Sequence, residues 1–65
     1  MTSLEEAIRS AHGAEIARVY KNFSNELSEA AGDEAKIEEA EQRLKQGLSH
    51  AADVLARVRS VAKFG

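Results

Sequence analysis

The chain has no cysteine, no proline and no tryptophan, and its 65 residues include only three aromatics, Tyr20, Phe23 and Phe64. Without cysteine there is no disulfide and no thiolate metal site. With only two histidines, His12 and His50, a structural zinc box is excluded as well. Without proline, nothing in the chain forbids long helices. No stretch approaches the roughly 18 apolar residues that a membrane-spanning helix needs. The opening Met1-Thr2-Ser3-Leu4-Glu5-Glu6 is acidic and lacks the basic and apolar regions of a signal peptide. These features lead to the expectation of a cytoplasmic protein that does not insert into membranes. A basic stripe is also missing. The net charge is −2 with both signs interspersed, which argues against nucleic acid as a partner.

What the chain does have is alanine. Of its 28 apolar residues, twelve are Ala and sixteen are larger. Alanine favours helix strongly and buries little area. A single core at this size rarely supplies more than roughly 3–5 kcal/mol, and small domains usually add a disulfide, a metal or a second chain. With the first two excluded, association remains.

Periodicity gives the elements. Ser3-Leu4-Glu5-Glu6 fits a capping box, with Ser3 as N-cap and a helix beginning near Leu4. Leu4, Ile8, Ala11, Ile16, Val19, Phe23, Leu27 and Ala30 form its apolar stripe. Gly13 costs about 1 kcal/mol relative to Ala in a helix interior, so a kink or break is expected there. Ala30-Ala31-Gly32-Asp33-Glu34 is the turn, with Gly32 in the left-handed position and Asp33 as the next N-cap. So short a turn implies antiparallel helices. In the second helix Ile37, Glu41, Leu44, Leu48, Ala51, Leu55, Val58 and Ala62 step by alternating fours and threes, a heptad seam with one polar member. Glu39–Arg43, Glu41–Lys45 and Asp53–Arg57 are spaced to pair along it. Arg57, Arg59 and Lys63 suit the negative end of its dipole, and Gly65 ends the chain. The expected fold is therefore all-α: one domain over residues 1–65, an antiparallel hairpin of two long helices that completes a bundle with a partner chain or as a homodimer. Tyr20, Leu27, Val54, Val61 and Phe64 lie off the seam, so each stripe is wider than one neighbour covers.

No catalytic constellation is visible. The six serines are scattered, none beside a His–carboxylate pair. Two helices are also expected to leave no concavity of the few hundred Å³ that ligand sites need. No enzyme activity and no cofactor are therefore expected. His12 and His50 each have a carboxylate three residues on, Glu15 and Asp53, and folding about Gly32 brings residues 12 and 50–52 level. A metal is conceivable there, but di-metal bundles draw more carboxylates from four helices, and the assignment made here is no metal. The acidic cluster Glu38, Glu39, Glu41 reads as a solvated face. The residues assigned to partner binding are Ile16, Val19, Tyr20, Phe23 and Leu27 on the first helix, with Leu48, Leu55 and Val58 on the second. Aromatic and aliphatic anchors at helical spacing are what a helix-in-groove contact uses.

Length, the opening Met1-Thr2-Ser3-Leu4-Glu5-Glu6, Gly13 and a turn near Gly32-Asp33 together resemble the small E-type co-chaperones of type III secretion needle subunits. The resemblance implies a helical hairpin without catalytic residues. It also implies a larger helical-repeat chaperone as partner, docked on the face of Ile16, Val19, Tyr20, Phe23 and Leu27, the pair holding the needle subunit unpolymerised. The other reading the residues allow is a homodimeric four-helix bundle that regulates or inhibits another protein. RNA is less suited as its target, since Arg9, Arg18 and Lys21 are few.

Overall fold

The computed structural model describes residues 3–62 and consists of two helices, α1 (Leu4–Ala30) and α2 (Glu34–Ala62), packed against each other as a hairpin. Met1, Thr2, Lys63, Phe64 and Gly65, which entered the sequence reading, lie outside the described residues.

The ends of the helices follow from their capping residues. The Ser3 hydroxyl accepts a hydrogen bond from the Glu6 N–H at 3.1 Å, and Glu5 and Glu6 lie in the first turn, at the positive end of the dipole. Asp33 caps α2 more fully. Its Oδ1 accepts from the N–H groups of Ala35 at 3.0 Å and Lys36 at 3.3 Å, while its own N–H donates to the Ala30 carbonyl at 2.9 Å. The left-handed conformation expected at Gly32 (φ 84°) is shared by Ala31, whose φ is 50°. A non-glycine residue in this region carries a steric cost, so the turn is tighter than one permissive glycine provides for.

Two expectations need correction. Gly13 makes no break: α1 runs through it without interruption. A penalty of about 1 kcal/mol is small against the packing of Ile8 and Ile16 on either side, both half-buried. The seam of α2 is also not the one the heptad template assigned. Glu41 is exposed, and the neighbouring Ala40 is fully buried, at 0%. The inward line runs through Ile37, Ala40, Leu44, Gly47, Ala51, Leu55 and Ala62; Leu48 beside it is exposed, and so is Val58, which lies on the line five turns from Ala40 where a groove opens.

The reason is close approach. The buried residues among those described are all alanines, Ala30, Ala40 and Ala51. At Gly47 an added Cβ would sit 3.1 Å from Cγ1 of Val19. Small residues at 40, 47 and 51 let the backbones come together, and larger side chains pack beside the line of contact. Interhelical ion pairs at both ends support the register. Arg43 donates to Glu26 at 3.0 Å near the turn, and Arg59 to Glu5 at 2.7 Å near the open end. The Arg43–Glu26 bridge replaces the expected Glu39–Arg43 pair, whereas Asp53–Arg57 forms as expected at 2.9 Å.

The Cα atoms fill a slab of 49 × 22 × 8 Å. A slab one helix thick has two open faces and almost no interior. Its accessible surface is 5135 Å², where a compact monomer of 7.1 kDa exposes only about 4100 Å².

Candidate protein-binding site

At about 100° per residue, side chains flanking the seam divide between the two faces of the slab. One face carries Ile16, Tyr20, Phe23 and Leu27 from α1, at steps of four and three, and Leu44 and Leu48 from α2. Tyr20 is 73% exposed, and Leu27 and Leu48 are exposed beside it. Ile16, Phe23 and Leu44 are half-buried under them. This is a continuous apolar strip over the middle and turn-proximal part of the hairpin.

The opposite face is apolar toward the open end. There the helices border a groove of about 430 Å³, lined by Ala7, Ala11 and Ala51 and by Ile8, Val54, Leu55 and Val58. Its turn-ward end is polar, with His12, Glu15, Arg18 and His50. The groove overturns the expectation that two helices leave no concavity of this size. Alanines lining it take up little room beside the larger Ile8, Val54, Leu55 and Val58.

The eight residues assigned to partner binding therefore do not form one surface. Ile16, Val19, Phe23 and Leu55 are half-buried at the helix junction, Tyr20, Leu27 and Leu48 project from the first face, and Val58 lies in the groove on the second. Sequence reasoning did not find the groove or the close approach at Ala40 and Gly47. The signal was there in three small residues at spacings of seven and four, but heptad templates look for large ones.

His12 and His50 do reach the same groove. The carboxylates that were to complete a metal set are paired with arginines: Glu15, in the groove beside the histidines, with Arg18, and Asp53 with Arg57. Among the described residues no group of three or more His, Asp or Glu is placed to hold a metal ion. Nor is any described helix long and apolar enough to cross a membrane.

No protein-family model, no curated protein and no solved structure matches this chain.

Proposed function

We propose that this hairpin is a non-catalytic protein-interaction module whose apolar faces are covered by helices of a partner chain. The observation that carries this reading is the all-alanine interior beneath exposed Tyr20, Leu27, Leu48, Val54 and Val58. Burying large apolar side chains is worth about 1.5–3 kcal/mol each, and in the isolated hairpin much of that stabilisation is unrealised. Contiguous exposed apolar strips mark interaction sites.

Within this class, the resemblance to needle-subunit co-chaperones names the partner type: a helical-repeat chaperone that takes the Tyr20 face, the two together holding a needle subunit in the cytoplasm. The test is co-expression of this chain with the helical-repeat chaperone and needle subunit of a type III secretion system from the same genome. The expected result is a 1:1 complex with the chaperone that Phe23→Asp abolishes. Absence of a complex with the native chain, or a complex indifferent to Phe23→Asp, would overturn the assignment. The second reading, a homodimeric bundle, is favoured by the charge distribution along the hairpin.

A further inference from the structure

We propose that the free chain covers its Tyr20 face with a second copy of itself, stacked head to tail, and that a partner helix must displace this copy. The proposal rests on the interaction-module reading and adds a resting state to it.

The area argument comes first. The chain exposes about 1000 Å² more than a compact monomer of its mass, and a standard stable interface covers about 800 Å² on each partner. One second copy on one face is of the right size to account for the excess.

Charge selects the orientation. Residues 26–41, around the turn, carry seven acidic side chains and one basic, a net −6, so the rest of the chain carries +4 to reach the total of −2. Among the described residues Glu34, Glu38, Glu39 and Glu41 make no ion pair. At the other end of the same face, Arg9 and Arg59 both reach Glu5, and with Glu6 beside them that end is neutral where the turn is strongly negative. Turn on turn would place acid against acid. Head to tail removes that repulsion and brings the acidic turn of each copy to Arg9 and Arg59 of the other.

The spacing of residues then fits a two-fold axis running across the hairpin, level with residue 18 on α1 and residue 46 on α2. Each helix lies antiparallel to its own copy. On α1, Tyr20 comes level with the other copy's Ile16, and Phe23 with Gly13, beside which nothing else packs. On α2, Leu44 comes level with Leu48, and Arg59 with the residues at the turn. One axis produces these pairings, because the paired positions sum to 36 on α1 and to 92 on α2 (20 and 16, 23 and 13; 44 and 48); it also sets the stem of Arg9 level with Leu27. Self-complementarity of this kind is what an isologous interface requires.

The experiment is light scattering of the full chain across a concentration series, with helicity followed alongside. The expected mass is twice 7.1 kDa, with dimerisation weakened by salt. Tyr20→Asp should weaken dimerisation at least tenfold while leaving the helicity of the monomer intact, and Leu48→Asp should do the same. Val61→Asp, at a residue 86% exposed and off this face, should leave it unchanged. Orientation is read from a spin label at Glu34→Cys, since the chain has no other cysteine. Head-to-tail stacking puts the two labels about 36 Å apart, or 24 residues at 1.5 Å each; turn-on-turn stacking puts them within about two helix diameters, or 20 Å. A short distance overturns the proposal, as does a dimer that ignores Tyr20→Asp and Leu48→Asp. A chain monomeric at every concentration overturns it too, yet leaves the partner reading standing if the chaperone complex forms. Failure of both assays removes both.

Discussion

The turn half of the hairpin and its open half are built from the same two helices but closed by different means. Near the turn, Ala30 and Ala40 are buried, Asp33 caps α2 with two hydrogen bonds, and Arg43 bridges to Glu26. Toward the open end Ala51 is the last buried residue among those described. Beyond it Leu4 and Val61 are exposed, and so are Val54 and Val58 along a groove, with Arg59–Glu5 as the tie. The difference teaches where the chain is self-sufficient. A short turn makes closure of nearby segments entropically cheap, and the cost rises with separation. Small residues close the seam of the turn half, although its Tyr20 face stays exposed, while in the open half the seam itself widens into a groove lined by larger apolar side chains.

Substitutions can break this comparison, and the largest effect is expected at Ala40. Ala40→Leu forces bulk into the closest approach of the turn half and should lower the stability of the isolated chain by about 1–3 kcal/mol, read from urea unfolding followed by circular dichroism. Asp33→Ala removes both capping bonds and should cost about 1 kcal/mol in the same measurement. Gly13→Ala tests the other half. Nothing lies within 4 Å of a Cβ at this position, so the substitution should raise stability by about 0.8–1 kcal/mol, seen as a higher thermal midpoint in the monomer. If the head-to-tail dimer forms, the same methyl group should weaken it, because Phe23 of the other copy lies level with Gly13. The smallest effect is expected from Val58→Asp, within about 0.5 kcal/mol for a surface position, although it should disturb any partner seated in the groove. A loss at Val58 as large as that at Ala40 would mean that the open half also closes on itself.

The parts of the fold legible in the sequence were those set by local rules. The two helices, the Ser3 and Asp33 caps and the turn around Gly32 are written in propensity and capping chemistry within a few residues. So is the Asp53–Arg57 pair, four residues apart on one helix. The parts that were not legible depend on the other helix. Arg43 had Glu39 at the right spacing but reaches across to Glu26, a neighbour no single-helix pattern reveals. Glu41 was assigned to the seam because it kept the heptad step. Ala40 and Gly47 take the inward line because only small side chains fit where the backbones approach, as at Gly47, where an added Cβ would sit 3.1 Å from Cγ1 of Val19. The candidate site was legible as an inventory of apolar residues, not as two separate faces. Dividing them needs the relative rotation of the helices, which the seam fixes.

A slab one helix thick has a consequence for how such a chain changes over generations. Only three described side chains are hidden from whatever surrounds the molecule, so nearly every substitution is displayed on a surface. Mutational pressure on an ordinary domain is set largely by its own interior. On the proposed reading it is set instead by the shape of the partner, and the sequence can drift as far as that partner drifts with it.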